Sequence, residues 1–569
     1  MENNPAAYLL QILNSEKKRL FDGVNKQDIG LFLFELIRTL DFFKLKYQHS
    51  PDDELLVKLN ELYHFGWNTL FTLFFKESYL QEPVPLIQSE SDIREWSDSF
   101  LQYAGRMGLA HQFIDYEKAG LGVLLKNTDT NFTFQYASCR LGLGEFYEKL
   151  SYGFLYELKG KFIESEFLKH ISGYDAIKQN LKLHLREPLG GWAINYIPTP
   201  EIDDFYSRLG YFFLVQEQDY DDFAEIDSFG GIQYKCYLDF IQEQLGIVIK
   251  HTDFCFALVN ENPKINLRDI LTFVQSESHY VKTYSNWLDV SEEELKQIMS
   301  CVCIDFENSS YHLNMIAPPL PPMIKLSNSQ IIRSSAGFKH KPCLFLQHEL
   351  KRKFPADYFK AVNNREERFR NELYSLITGG LSDRLLTIQR SIEIKNSSYK
   401  TDIDAAIFDK KTKTLALFQL KWQDSFGNSM NERRSRISNL YPKSKEWIDK
   451  IIEWTRQYPS KTILNSLGFN KLASDEREIE EIYLFVIARN HIHFTEVELD
   501  ERASWTSWHQ LIEVSGRVKT HMDNPLKKLY VSIRATYPEL RSNFDKKPHL
   551  ADYEINFSKY KIQVKIPEN

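Results

Sequence analysis

Apolar residues recur at helical spacing through most of the first 300 positions. DIGLFLFELIRTLDFFKLKY (28–47) and ELLVKLNELYHFGWNTLFTLFF (54–75) repeat them at three- and four-residue intervals, the spacing of one buried helix face. SEEELKQIM (291–299) adds a serine before an acidic first turn, typical of a helix N-terminus. Residues 1–314 are therefore predicted to be a helical region, long enough for two subdomains.

The pattern changes at residues 315–330, where MIAPPLPPMIKLSNSQ has four prolines in five positions. Proline is excluded from helix interiors and favours extended backbone, so we predict a proline-rich linker over 315–330. After it, ADYFKAVNNREERFRNELYSLI (356–377) predicts a long helix that stops at Gly379 and Gly380.

Three strand patterns follow that helix: LLTIQRSIEI (385–394), TDIDAAIFD (401–409) and LALFQLKW (415–422). SKEWIDKIIEWTRQ (444–457) predicts a second helix, and EIYLFVIARN (481–490) a strand buried on both faces. The order helix, three strands, helix, strand indicates an α/β core with a mixed sheet and helices on both sides. We therefore predict a multidomain protein with a mostly α N-terminal region and an α/β domain over 331–569.

Charge separates the two parts. Residues 1–300 contain 28 Lys and Arg against 45 Asp and Glu, a net charge of −17, and residues 301–569 contain 42 against 33, a net charge of +9. A basic part is suited to a polyanion, while the acidic helical region is a candidate surface for a protein partner or for self-association. The acidic run QDYDDFAEID (218–227) predicts a solvated loop or a site for a basic partner.

The chain shows no membrane signal. Its first residues lack the basic and apolar regions of a signal peptide, and its densest apolar stretches are shorter than the roughly 18–20 residues that span a bilayer. We expect a cytoplasmic protein with no membrane partner.

Candidate chemistry lies in the second and third strand patterns. Side chains alternate faces along a strand, so Asp402 and Asp404 share one face, and Gln419 and Lys421 share a face of the next strand. A hairpin across DKKTKT (409–414) would bring Asp404 to Gln419 and Lys421. A carboxylate, an amide oxygen and an ammonium are a minimal set for a hard cation and a polarised water.

These residues resemble a known family. TDIDAAIFD followed by FQLKW is similar to the core signature of the PD-(D/E)xK nuclease superfamily, which has a restriction-endonuclease-like core, in its variant with Gln at the second acidic position. Asp404, Gln419 and Lys421 match the signature. The resemblance covers roughly residues 345–500.

The family also places a glutamate on the helix before the first core strand. REERFRNELYSLI offers three candidates: Glu366, Glu367 and Glu372. We prefer Glu372, because Phe369, Leu373 and Leu376 put its turn against the core, and Glu366 is the second choice.

The resemblance implies metal-dependent hydrolysis of a phosphodiester. Asp404, Gln419, Glu372 and the backbone carbonyl of Leu420 would bind Mg²⁺, for which Mn²⁺ could substitute. Lys421 would position the attacking water or stabilise charge on the phosphate. The neutral Gln favours one metal ion over two.

A basic segment follows the signature. MNERRSRISNLYPKSK (430–445) contains four candidate contacts to DNA phosphates: Arg433, Arg434, Arg436 and Lys443. On composition alone, a solvated helix start is an equally good interpretation.

Two functions stay open. The first is a Mg²⁺-dependent DNA endonuclease with a helical regulatory or sensing region, an arrangement seen in bacterial anti-phage and restriction-type effectors. The second is a catalytically silent nuclease fold that binds nucleic acid or assembles a complex, which the neutral Gln419 favours. The intact Asp404 and Lys421 favour the first, and the sequence does not separate DNA from RNA as the substrate.

Overall fold

The structure is a computed structural model, and we describe most of the chain from it. The described residues are 4–50, 53–75, 82–137, 163–217, 220–313, 319–379, 383–395, 400–423, 430–470, 472, 477–494, 497–516, 523–544 and 552–567.

Helices predominate among the elements of the described chain. In chain order they are α1 (Pro5–Asp22), α2 (Ile29–His49), α3 (Glu54–Phe74), α4 (Ser91–Lys118), α5 (Tyr174–Asn180), α6 (Pro200–Gln216), α7 (Tyr234–Glu261), α8 (Leu267–Leu271), α9 (Glu277–Leu288), α10 (Glu292–Ser300), α11 (Ser309–Leu313), α12 (Ser335–Phe338), α13 (Pro342–Lys353), α14 (Pro355–Thr378), α15 (Met430–Gln457), α16 (Ser460–Ser466), α17 (Trp508–Ser515) and α18 (Pro525–Phe544).

The strands are shorter and belong to several sheets. They are β1 (Gly122–Lys126), β2 (Asn131–Tyr136), β3 (Ser228–Phe229), β4 (Ile232–Gln233), β5 (Phe273–Ser276), β6 (Cys303–Ile304), β7 (Met323–Lys325), β8 (Gln330–Arg333), β9 (Leu385–Thr387), β10 (Ile392–Lys395), β11 (Lys400–Ile403), β12 (Ala405–Asp409), β13 (Thr414–Lys421), β14 (Glu481–Ala488), β15 (Ser504–Ser507), β16 (Tyr553–Phe557) and β17 (Tyr560–Lys565).

A five-stranded mixed sheet forms the centre of the C-terminal half, in the order β15–β14–β13–β12–β9. Strands β13, β14 and β15 are parallel, and β12 and β9 run antiparallel to their neighbours. Helices α14, α17 and α18 cover one face, and α15 and α16 cover the other. The order of helix, strands, helix and strand agrees with the prediction, but the patterns at 385–394 and 401–409 are each divided into two strands. Strands β9 and β12 belong to the five-stranded sheet, whereas β10 and β11 pair as a separate two-stranded ribbon.

The N-terminal region is largely helical, as predicted, and its sequence signals are present. Ser291 caps α10 through a reciprocal capping box with Glu294. The region also contains strands: β1 pairs with β2, and β5, β8, β7 and β6 form a four-stranded sheet. Both are buried against helices in the N-terminal cores.

The predicted linker at 315–330 is wrong for its described part. Pro319, Pro321 and Pro322 are buried, and β7 lies inside this range as a strand of the four-stranded sheet. Leu320, on the same stretch, contributes to the core formed with α2 and α3. Proline in extended backbone is compatible with the start of a strand as well as with a spacer. The apolar residues that follow these prolines, Met323 and Ile324, are buried and favour the strand.

The prediction that the C-terminal domain extends over all of 331–569 is also wrong, because β16 and β17 belong to the N-terminal half. Strand β17 pairs in parallel with β2, giving the sheet order β1–β2–β17–β16. Ile562 and Val564 are fully buried there against Phe132 and Phe134. The chain thus returns to the N-terminal half after completing the α/β core.

Helix α14 connects the two halves without a break. Tyr358 and Ala361, in its first turns, are buried in the largest N-terminal core. Phe369 and Leu373, further along, are buried beneath the five-stranded sheet. A helix of 24 residues is about 36 Å long. A single helix is therefore anchored in both cores and sets their relative position.

No helix in the described residues is both long and apolar enough to span a membrane.

The pairing of β17 with β2 gives a stability prediction. Ile562→Ala removes a fully buried side chain, and we expect it to lower the free energy of unfolding by about 2–5 kcal/mol. Because the Ile562 side chain packs in the core around β2, its removal should reduce amide hydrogen-exchange protection in β1 and β2 more than in β13 and β14. Gln563→Ala, one residue along the same strand and only partly buried, is the matched control. Equal protection of β1 and β2 in the two variants would contradict the pairing of β17 with β2.

Candidate metal centre

The strand that carries the two aspartates is interrupted at Asp404. Strand β11 ends just before this residue and β12 begins just after it, and Asp404 itself forms a bend. Its carboxylate turns to the neighbouring strand, where the N–H of Leu420 donates to Asp404 Oδ2 at 2.8 Å. Because the N–H and C=O of a strand residue point to the same side, the Leu420 carbonyl also faces Asp404.

Gln419 lies next to this contact on β13. It shares a sheet face with Leu415 and Leu417, which contact α15. The Gln419 side chain is 8% exposed, and its Oε1 is buried with no hydrogen-bond partner among the described residues. Leaving a buried polar atom unsatisfied costs on the order of 1–3 kcal/mol, and a cation bound to this oxygen would offset that cost.

Lys421 completes the predicted group at the end of β13. Burial lowers the pKa of its ammonium, while the negative charges of Asp404 and Glu366 act in the opposite direction. Burial raises the pKa of Asp404 to about 6, against the Leu420 hydrogen bond and the Lys421 charge, which lower it. The ammonium and the carboxylate therefore stabilise each other's charged forms in a partly desolvated site.

One stripe of α14 faces the Asp404 bend. The Tyr374 hydroxyl accepts a hydrogen bond from the Ala406 N–H at 3.2 Å. One turn earlier, Arg370 Nη1 donates to the Asp404 carbonyl oxygen at 3.1 Å. Glu366 lies one further turn away and acts electrostatically on both Asp404 and Lys421. The spacing of four residues puts all three on one face of the helix.

Glu372, our preferred helix glutamate, faces elsewhere. Its carboxylate forms ion pairs with Arg489 and with Arg368, the latter at 3.5 Å. Six residues of helix turn Glu372 about 120° away from Glu366. Phe369 and Leu373 do bury this turn, but burial of a turn does not fix which flank of the helix faces the site. Glu366, our second choice, is the helix glutamate whose charge acts on Asp404.

The four predicted phosphate contacts lie in the first half of α15, with different surroundings. Lys443 is exposed, donates to Asn439 Oδ1 at 2.8 Å, and its charge lowers the pKa of Lys421. The carbonyl of Arg436 accepts a hydrogen bond from Gln423 Nε2 at 3.2 Å. Arg434 is exposed and its guanidinium lies beside Gly120 of the N-terminal half. The Arg433 side chain lies outside the described residues.

Arg489 is a neighbour that sequence reasoning missed. Its N–H donates to the Lys421 carbonyl at 2.8 Å, because β14 ends alongside β13. Its guanidinium lies over the Trp422 ring, 4.5 Å from the ring centroid. The only signal in the sequence was an arginine directly after an apolar strand, which is too common to identify a site.

The donor set fits a hard cation. A carboxylate, an amide oxygen without a partner and a backbone carbonyl are the oxygen ligands that Mg²⁺ and Mn²⁺ prefer. Across the described part of the chain, no three His, Cys, Asp or Glu side chains come together as a possible metal site. A cation at Asp404 would therefore depend on the neutral oxygens of Gln419 and Leu420, with Glu366 as the nearby second carboxylate.

Comparisons with known proteins add no family. No protein-family model, no curated protein sequence and no solved structure matches the chain.

The raised pKa of Asp404 gives a stability prediction. The folded protein disfavours the ionised carboxylate, whose pKa moves from 3.8 to about 6. Wild type therefore loses stability relative to a neutral side chain as the pH rises from about 4 to about 6. Asp404→Asn, which still accepts from the Leu420 N–H, should raise the free energy of unfolding by up to about 3 kcal/mol above pH 7.

This gain is measured by chemical unfolding in EDTA at several pH values. It should disappear below about pH 4, and added Mg²⁺ should stabilise the wild type but not the variant. Asp402→Asn, at an exposed position two residues away, is the control. An Asp404→Asn variant less stable than wild type at pH 7.5 would contradict the electrostatic description.

Proposed function

We propose that the chain is a metal-dependent nuclease that hydrolyses phosphodiester bonds of DNA. One observation carries the proposal. The buried Oε1 of Gln419 has no hydrogen-bond partner among the described residues and lies beside the Asp404–Leu420 contact and Lys421. A structural ion pair gives no role to an unpartnered amide oxygen beside it, whereas a hard cation would bind that oxygen.

The residues have distinct roles in this proposal. Asp404, Gln419 and the Leu420 carbonyl would hold one Mg²⁺ or Mn²⁺, with Glu366 as the additional carboxylate. A cation bound there would polarise the phosphate and acidify a water molecule. Lys421 would place its ammonium where negative charge develops on the phosphate. Electrostatic stabilisation of the transition state by such a fixed charge is usually the largest single contribution to the rate.

Support for the helix residues comes from their contacts. Arg370 donates a hydrogen bond to the Asp404 carbonyl oxygen, so it would act as a positioning residue that holds the Asp404 bend in place. Lys443 adds positive charge on the α15 side, where a phosphodiester backbone would approach Lys421.

The test is cleavage of supercoiled plasmid DNA with Mg²⁺, with Mn²⁺ and with EDTA. We expect nicking or linearisation that requires metal, and a loss of about 10²–10³ in rate for Lys421→Ala. Asp404→Ala should lose the activity as well. Glu366→Gln should lower the rate more than Glu372→Gln, because Glu366 is the carboxylate that acts on Asp404 and Lys421.

Lys411→Ala, in the exposed turn of the same hairpin, is the matched control and should cleave as wild type does. Cleavage that persists in EDTA, or a Lys421→Ala variant as active as wild type, would contradict the proposal. A wild type that binds DNA but never cleaves it would favour the alternative, a silent nuclease fold that binds nucleic acid or assembles a complex.

A further inference from the structure

Part of the acidic run at 218–227 is buried, whereas a solvated loop was one of its two predicted forms: Asp222 and Phe223 are buried, and Glu225 is exposed. We call residues Tyr220–Phe223 the acidic segment; it lies between α6 and β3 in the N-terminal half. Asp222 is 1% exposed, and its Oδ1 accepts a hydrogen bond from Trp422 Nε1 at 3.1 Å. The segment therefore reaches across to the residue that directly follows Lys421.

Three arginines of the C-terminal half hold this segment. Arg365 Nη2 lies 3.5 Å from Asp222 Oδ2, and Arg365 Nε donates to the Asp222 carbonyl at 3.1 Å. Arg368 Nη2 donates to the same carbonyl at 2.8 Å. Arg489 forms an ion pair with the carboxylate of Asp221. The basic partner that the sequence suggested for the acidic run is part of the same chain.

The arginines form a compact cluster around one aromatic ring. The guanidinium carbons of Arg368, Arg489 and Arg365 lie 4.4, 4.5 and 5.7 Å from the Trp422 ring centroid. We call these three residues and Trp422 the arginine cluster. Within the C-terminal half, Glu372 pairs with two of the three cations. Without the acidic segment, the cluster would carry an excess of positive charge.

The cluster borders the candidate metal centre. Trp422 follows Lys421 directly, and the Arg489 N–H donates to the Lys421 carbonyl at 2.8 Å. A groove of about 780 Å³ opens beside it, lined by α14, α17 and residues that follow the acidic segment, and Arg365 and Arg368 are among its lining. Of the three arginines, Arg368 is the most open, with 22% of its side chain exposed, whereas Arg365 and Arg489 are 2% and 4% exposed beside the acidic segment. A polyanion could therefore contact Arg368 first, and it would reach the other two guanidinium groups where the segment is displaced.

We infer that the arginine cluster is a phosphate-binding surface for DNA, and that the acidic segment occupies it in place of phosphates. This inference rests on the proposed function and adds a way in which its DNA binding is regulated. Guanidinium groups bind carboxylates and phosphates with the same geometry, so Asp221 and Asp222 act as internal substitutes for the DNA backbone. Displacement of the segment then opens the surface next to Lys421.

The test is DNA binding by the full-length protein in EDTA, measured by fluorescence anisotropy with a labelled duplex over a range of salt concentrations. Asp221→Asn/Asp222→Asn keeps the shape of the segment and removes two charges. We expect tighter binding, and a slope of log affinity against log salt that is steeper by about two, because freed arginines bind phosphates and release counterions. The unfolding midpoint of each variant verifies that it is folded.

Glu225→Gln/Glu293→Gln is the matched control, because it removes two exposed carboxylates of the same half and should leave the slope unchanged. Adding Arg368→Gln/Arg489→Gln to the Asp221→Asn/Asp222→Asn variant should abolish its gain in DNA affinity.

In the wild type, DNA should increase hydrogen exchange across 220–223. An Asp221→Asn/Asp222→Asn variant that binds as the control does, or a gain that survives the arginine substitutions, would overturn the inference.

This experiment is independent of catalysis. Binding in EDTA reports on the arginine cluster even if no variant cleaves DNA, in which case the proposed function fails and the binding surface stands. If the wild type cleaves plasmid but the acidic-segment variant binds no differently from its control, the proposed function stands and the inference fails.

Discussion

The burial of α14 in two hydrophobic cores is the constraint on which the arrangement of the site depends. Tyr358 anchors the helix in the N-terminal half and Phe369 anchors it beneath the five-stranded sheet. The same helix carries the Glu366–Arg370–Tyr374 stripe that faces Asp404. It also carries Arg365 and Arg368, which hold the acidic segment. Because a helix moves as a rigid body, a change in the N-terminal core would shift the Glu366–Arg370–Tyr374 stripe, Arg365 and Arg368 together.

The end of β13 combines groups that are expensive to bury. Burial disfavours the charge of Asp404 and that of Lys421, and Gln419 Oε1 lacks a partner in the described chain. Such groups lower stability where they serve only packing, and they concentrate where a protein binds or reacts. Arg370 and the Leu420 N–H limit the cost by fixing the Asp404 backbone and carboxylate. The local energetics therefore favour a functional site over an incidental ion pair.

Sequence reasoning succeeded where the information is local. Period-two alternation predicted β12 and β13, and the short hairpin between them places Asp404 beside the end of β13, where it accepts from the Leu420 N–H. It failed where contacts between residues distant in sequence determine the structure. The angle of Glu372 around α14 depends on packing, the partner of β17 lies more than 400 residues earlier in β2, and the arginines that hold Asp222 are remote in sequence. No neighbouring residues encode those contacts, so no pattern predicted them.

The central claim is that Asp404, Gln419 and the Leu420 carbonyl bind one hard cation. The most direct measurement is anomalous scattering from crystals of the protein soaked with Mn²⁺. We predict one strong peak within about 2.2 Å of an Asp404 carboxylate oxygen, of Gln419 Oε1 and of the Leu420 carbonyl oxygen, and its loss in Asp404→Ala. Mn²⁺ bound only elsewhere, or an Asp404 and Gln419 that remain without metal at saturating Mn²⁺, would contradict the account.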